Sequence, residues 1–566
     1  MREKKNSWQQ RALSFVPILQ WLPKYKWKEY LHGDVIAGLT VGIMHVPQGM
    51  AYASLAGVPP VYGMYSRVFA VASMMVGACR MRLAPDSAEI GNGSFPLGKE
   101  VDPLVLTSAL TLLVGCVQVI LSIVRLGFLT TYLSDPLVSG FTTGSAVHVL
   151  MSQLNKVFGV KLPRHEGIGM LIRMLRDVLT SLPSTNFVVL AMSLSGILFL
   201  DLGRTYVNPL VKKYSPVPPP LELILVIIGI VVSVSLGLKE NYDVKVVNVI
   251  PRGFPSPSVP DFSLFPHLLA DAIPIAVVCY MFVVSMGKLF AKKHKYKTDA
   301  TQELYAVGLM SILSSPFPVY PVGASLSRSS VCEMSGANSQ LYTLFSSALL
   351  LTVILVLGPL LEPLPMCILA CIVIVSLKSL FLQVKELPRL WRISKYDFAI
   401  WVVSALATTL TDVTRGLIIA VLFAIGSIIL REQWPKFTTL TSTGTAPPQH
   451  IQEHVKVVRW EAPLHFANVT RFSDLVTGLF GKEEALLQES SIVLECSAIC
   501  YMDIMGIEAI TQLFVDAKKK NTAVFLTNLN DKVKNILISP DGCGSDVPIS
   551  AFYNTVDEAL LHIATL

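Results

Sequence analysis

The feature that most constrains this chain is a succession of apolar runs extending from Asp34 to Leu430. A membrane-crossing helix needs roughly 20 apolar residues, and a half-crossing needs fewer. By that measure there are about fourteen segments, several of them short or broken. The clearest are 34–56, 61–78, 104–124, 187–202, 221–238, 268–291, 341–357 and 416–430. The weakest are 85–97 and 325–334. Charged residues make up 15% and hydrophobic residues 52% of the chain, where a soluble domain carries about 25% charged residues. That balance argues against a soluble globular enzyme. It also argues against a disordered chain, which needs low hydrophobicity and high charge. The expected class is a polytopic α-helical membrane protein.

Net charge is +7, from 46 Lys and Arg against 39 Asp and Glu. In a membrane protein such an excess marks cytoplasmic loops rather than a nucleic-acid partner. The basic N-terminus, 204–213, 292–297 and 378–395 are therefore predicted to be cytoplasmic. An even number of spans makes those placements consistent and puts both termini inside, with the plasma membrane as the expected location. The basic stretch 156–176 is the exception, because it falls in a predicted external loop. Nine cysteines are scattered, several inside apolar runs, and none has zinc spacing. They read as packing residues. No cofactor or metal is implied. No nucleophile–base pair, phosphate loop or metal-ligand cluster suggests an enzyme.

The pattern changes after Arg431. From Val455 it reads as a small α/β domain, with strands over 455–460, 491–495 and 523–527 and an amphipathic helix over 506–519. Ile507, Ile510 and Leu513 share one face of that helix. The expected organisation is a cytoplasmic N-terminal region (1–33), a transmembrane domain (34–431), a linker (432–454) and the α/β domain (455–566).

Several stretches, in order along the chain, resemble the SulP anion-transporter family. They are VPQGMAYASLAGVPPVYGMYS (46–66), YLSDPLVSGFTTGSAVHV (132–149), TQEL (301–304), ASLSRS (324–329) and IVIVSLKSLF (372–381). The C-terminal domain, including YMDIMGIEAI (501–510), is similar to that family's STAS domain. The resemblance implies two inverted repeats of seven segments. A core domain (spans one to four and eight to eleven) would move against a gate domain (spans five to seven and twelve to fourteen). It also implies a homodimer with contacts through the STAS domains, in a lipid bilayer, and small inorganic or organic anions as substrates.

An anion held at mid-membrane needs positive potential without a full water shell. Two half-helices can supply it through the partial charge and unpaired N–H groups of their N-termini. The candidate starts are 83–87 and Ser325. Ser325, Leu326 and Ser327 would offer backbone N–H groups and two hydroxyls. Arg328 is either a fixed positive charge behind the anion or the partner of a buried carboxylate. Gln48 follows Pro47, and its amide could donate to an anion, close a gap in a broken backbone or bond a neighbouring helix. Tyr52 lies one turn on, where an aromatic is usually packing. By resemblance Gln48, Tyr52 and Ser87 fall on pocket-lining positions. His45 is read as a structural hydrogen-bonding group, and Gly140 and Gly144 as a close-packing step.

Some positions depart from the family pattern. Asp86 and Glu89 stand where small or apolar residues are expected, and a carboxylate at a helix N-terminus could compete with an anion. Phe282 takes the place of a carboxylate used in proton symport, which favours exchange or uncoupled conduction. Arg67 and Ser139 replace a small residue and an arginine. Asp503-Ile-Met-Gly506 lacks the Ser or Thr that bacterial relatives phosphorylate. Asn92 begins a glycosylation sequon in a predicted external loop. The leading reading is an anion exchanger of the chloride, bicarbonate, sulfate and oxalate class with elevator-like alternating access. The rivals are an uncoupled anion channel and a non-transporting, voltage-responsive scaffold.

Overall fold

A computed structural model describes residues 16–66, 70–85, 101–125, 127, 133–160, 169–211, 213–214, 219–248, 250, 253, 255–439, 455–480, 490–539 and 547–565. Arg67, Asp86, Ser87, Glu89 and Asn92 lie outside the described residues, as do the expectations placed on them. The chain divides into two compact units, Met1–Ala424 and Ile425–Leu566.

The first half of the helical unit holds α1 (Trp27–Ala56), α2 (Ala70–Leu83), α3 (Pro103–Ile123), α4 (Asp135–Phe158), α5 (Met170–Ser181), α6 (Phe187–Leu202) and α7 (Leu221–Leu236). The second holds α8 (Phe265–His294), α9 (Ala300–Ser314), α10 (Leu326–Met334), α11 (Tyr342–Thr352), α12 (Met366–Phe381), α13 (Lys395–Leu410) and α14 (Val413–Gln433). Among the described residues, six helices are long and apolar enough to cross a membrane. The protein is a polytopic α-helical membrane protein with a small α/β domain.

The two halves repeat one plan. Helices α1 and α8 are each 30 residues long and each contains a proline, Pro47 and Pro274. Proline removes an intrahelical hydrogen bond, so both long helices carry a weak point in the apolar layer. Each long helix packs on a helix of the opposite half, α1 on α11 and α8 on α3. The expected close step at Gly140 and Gly144 lies in the packing of α4 on α13. A Cβ on Gly140 would meet the Trp401 carbonyl, and one on Gly144 would lie 2.7 Å from that of Ala405. Nearby, Ser139 Oγ donates to Gln383 Oε1 at 2.8 Å and accepts from Trp401 Nε1 at 3.0 Å.

One predicted span is absent as such. The run 61–78 breaks into a short helix, Tyr62–Tyr65, and α2. Between them Ser66 is extended (φ −115°, ψ 129°), and its Oγ accepts from the Tyr320 amide at 3.3 Å. Helix α2 is described over 14 residues, about 21 Å of rise, against a hydrocarbon layer of about 30 Å. It runs parallel to α1. A Cβ on Gly77 would strike the Leu55 carbonyl, and Gly57 faces Arg80. Lower down, Gly63 packs directly against Gly49. Residues 57–66 therefore run back beside α1, and 70–83 return to the level where α1 ended. Together they form a re-entrant hairpin in the place where the second half has the longer α9.

The basic stretch 156–176 leads into α5. Ile172, Leu175 and Leu179 form an exposed apolar stripe on this helix, beside exposed Arg173 and Arg176. An apolar stripe beside arginines is the pattern of a helix suited to a membrane interface, where cations sit at headgroup level on either side.

In the second unit, strands β1 (Phe437–Thr439), β2 (Val455–Trp460), β3 (Ser490–Glu495), β4 (Thr522–Thr527) and β5 (Phe552–Tyr553) form one sheet in that order. Strand β1 is antiparallel to β2 and the rest are parallel. Alternation explains the layers. Val458, Trp460, Ile492, Leu494 and Leu526 pack with Phe472, Ile510 and Leu513 in one core, and Val457, Val493 and Phe525 pack with Ala559 and Leu560 in another. Helix Ile504–Lys519 covers the larger core and starts at Asp503, whose Oδ1 accepts from the Gly506 amide at 2.8 Å. The expected strands and helix thus lie within two residues of those observed.

Candidate functional site

The depth of the site follows from the register of two short helices against α1. Helix α10 runs antiparallel to it. At one end the carboxylate of buried Asp34 accepts from the amides of Asn338 (2.7 Å) and Ser339 (3.0 Å), the Ser339 hydroxyl (2.6 Å) and the Tyr25 hydroxyl (2.8 Å). Eleven residues further along α1, His45 Nδ1 lies 2.5 Å from Arg328 Nη1. Following the same register, Ser325 comes level with Gln48. Helix α2 runs the other way. With Gly77 beside Leu55, Ala70, two turns earlier, also comes level with Gln48. Two helices of opposite direction therefore converge on one depth, with the N-terminal end of each dipole directed there.

The stretch before α10 is not helical, so inside a membrane part of its backbone needs partners from other elements. Hydroxyls supply them. Ser108 Oγ donates to the Phe317 carbonyl and Thr111 Oγ1 to that of Val319, both at 3.1 Å. The Tyr320 amide is taken by Ser66, as above. These bonds tie residues 317–320, which lead into α10, to α3 and Ser66.

Gln48 sits where the three helices meet. It is 1% exposed, and neither its Nε2 nor its Oε1 has a hydrogen-bond partner among the described residues. A buried amide left in this state costs about 1–3 kcal/mol per unsatisfied group. Tyr52, one turn on, is also buried. Ser325 is the N-cap residue of α10, with extended angles (φ −125°, ψ 119°) and no side-chain cap. Leu326 and Ser327 are its first two helical residues, and their side chains lie outside the described part.

Arg328 is buried. Guanidinium can only donate, so His45 Nδ1 accepts, and the proton of the neutral ring is on Nε2. His45 is thus a hydrogen-bonding group within the helix packing. Both readings of Arg328 left out this neighbour.

Sequence reasoning placed the first-half helix start at 83–87. The structure ends α2 there, at Leu83. On the described residues, the helix end that comes level with Ser325 is that of α2 at Ala70, and Ser66, Ser73 and Tyr320 are all buried. Asp86, Ser87 and Glu89, and any helix start among them, lie outside the described residues. The one signal that could have indicated this is the apolar stretch Val68–Met75 following a tight Gly63, compared with the polar run from Asp86.

Comparison with known proteins gives the family and the fold. The sulfate permease family model matches residues 31–404, and the STAS domain model matches 446–559. Prestin of Danio rerio is 38% identical over 553 residues, covering 91% of this chain and 74% of that protein. Sulfate permease family protein 3 of Caenorhabditis elegans is 30% identical, covering 97% and 83%. Among solved structures, the murine Solute Carrier 26 family member A9 anion transporter in the inward-facing state superposes with a TM-score of 0.86 at 30% identity, covering 98% of this chain and 95% of that one.

Proposed function

This chain belongs to the sulfate permease family, and we propose that it is a secondary active anion exchanger for the chloride, bicarbonate, sulfate and oxalate class. The bound anion would lie at the level of Gln48, between the N-termini of α2 and α10. The amides of Leu326 and Ser327 and the Gln48 amide would donate to it, with Ser325 and Tyr52 lining the pocket. Arg328 would supply fixed positive potential from behind. Ser87 stays a proposed pocket residue. A core of α1–α3 and α8–α11 would carry the ion past a gate of α4–α7 and α12–α14.

The observation that carries this reading is Gln48, a buried amide with no partner on either atom among the described residues. In a membrane core such a group is retained where a ligand completes it. The proposed setting is a homodimer with STAS contacts in the plasma membrane, with residues 1–33 and the 455–566 domain cytoplasmic and 432–454 as linker.

A second reading, uncoupled anion conduction, draws on the hairpin. With 57–83 re-entering rather than crossing, the core has one less full helix to seal the path. Labelled chloride and sulfate efflux from proteoliposomes separates the two. Exchange requires an anion on the trans side and is lost in Arg328→Ser. Efflux indifferent to the trans anion would replace exchange with conduction. No flux from folded protein would overturn both.

A further inference from the structure

The connection between α12 and α13 consists of a tight helical turn, Leu382–Glu386, and a short helix, Leu387–Ile393. No residue of either is buried. Extended Ser394 ends it and caps α13, its Oγ accepting from the Asp397 amide at 3.2 Å. Leu382, Val384, Trp391 and Ile393 stand exposed, Ile393 at 72%. Exposed Lys385, Arg389, Arg392 and Lys395 are interspersed with them, against two carboxylates, Glu386 and Asp397. Lys395 Nζ lies 5.8 Å from the Trp391 ring centroid. Lys385, Arg389 and Arg392 have no hydrogen-bond or ion-pair partner among the described residues.

Helix contacts place this connection at one membrane face. Helix α4 has 24 residues, about 36 Å of rise, long enough to cross. Near its start Thr142 Oγ1 donates to Gln383 Oε1 at 3.1 Å and Thr143 Oγ1 to the Leu380 carbonyl at 3.2 Å. Near its other end Lys156 Nζ lies 2.6 Å from Ser54 Oγ, at the C-terminal end of α1. The connection is therefore on the face where α1 begins. The C-terminal end of α8 reaches the same face. Lys293 Nζ there lies 2.6 Å from Glu333 of α10, and the residues that follow α10 bond Asp34 near the start of α1. Three basic stretches, 24–28, 292–297 and 378–395, thus share one face. A bilayer leaflet rich in anionic lipid attracts such a face.

We propose that residues 382–395 are a docking surface for anionic phospholipid in that leaflet. Trp391 and Ile393 enter the boundary between headgroups and acyl chains, where an indole is favoured. Lys385, Arg389 and Arg392 take the negative headgroups. A dissolved phosphate would pair with the cations but leave the apolar side chains in water. A lipid surface answers both, and the two flanking membrane helices hold the connection at its edge. The binding is independent of how the protein moves anions.

The test uses full-length protein in phosphatidylcholine vesicles containing either brominated phosphatidylserine or brominated phosphatidylcholine. Bromine quenches nearby tryptophan, and the difference between wild type and Trp391→Phe isolates Trp391. Brominated phosphatidylserine should quench that component at a lower mole fraction than the brominated choline lipid. Arg392→Gln should raise the mole fraction needed about fivefold, the factor one cation contributes at an anionic surface. Arg392→Lys should keep it, and Lys292→Gln, in another basic stretch, should leave it unchanged. Equal quenching by the two lipids overturns the proposal. So does quenching by the serine lipid that Lys385→Gln, Arg389→Gln and Arg392→Gln together fail to weaken. Quenching reversed by inorganic phosphate would overturn it in favour of a dissolved anion. Trp391 reached by neither brominated lipid would overturn it in favour of a protein surface covering the connection.

Discussion

Arg328 Nη1 lies 2.5 Å from His45 Nδ1, and that contact sets the depth at which α10 begins. The imidazole sits one turn before Gln48 on α1. It gives a buried guanidinium an acceptor that adds no charge of its own. In the proposed anion site this contact would leave the guanidinium charge in place, because a neutral imidazole does not cancel it.

His45→Ala removes that acceptor while leaving Arg328 buried. Losing a hydrogen bond to a charged group costs about 1.5–3 kcal/mol, so the variant should melt several degrees below wild type. His45→Gln keeps an acceptor and should recover most of the loss. Thermal unfolding of the two detergent-solubilised variants decides this; equal melting would remove His45 from any part in registering α10.

Gln48→Leu should change stability and transport in opposite directions. Removing an amide with two unsatisfied buried atoms is expected to raise stability by about 1 kcal/mol, while anion uptake should fall at least tenfold. Melting temperature and initial uptake rate, measured on one preparation, provide the check. A less stable variant with normal uptake would mean that Gln48 is structural.

The hairpin makes a topological prediction. Pro59 and Arg82 are both exposed and lie on the same side of the membrane. In a background with exposed Cys500 changed to serine, Pro59→Cys and Arg82→Cys should both react with an impermeant maleimide applied to one face. Labelling from opposite faces would show that 57–83 crosses.

The Asp34 cluster should respond to alkaline pH. Burial, then the hydrogen bond and charge of Asp34, push the Tyr25 hydroxyl from 10.0 up to about 12. Its stability contribution is complete below pH 10 and is lost as pH rises through about 12, because the unfolded chain releases the proton first. Tyr25→Phe should show a shallower fall over that window in a pH series of melting curves. An unchanged slope would rule out Tyr25 as the group responsible.

Much of this was legible in the amino-acid order. Apolar length alone marked most of the spans, and period-2 alternation marked the strands of the α/β domain. Ser325, followed by a polar and charged turn, revealed the start of α10 because no ordinary span would carry Arg328. The start of α2 was not legible, since 61–78 reads as one apolar run whether or not it crosses.

Sequence by itself determined the class of protein, the two-part organisation and one of the two half-helices. These depend on composition and periodicity, which are local. Only the tertiary structure decided that Ser66 meets Tyr320, that Ala70 of α2 comes level with Gln48, and that Gln48 has no partner among the described residues. Each depends on contacts between distant residues: Gly63 against Gly49, Ser66 with Tyr320, His45 with Arg328. An apolar run carries no record of the depth at which it begins, because lipid and protein interior are equally apolar surroundings for it.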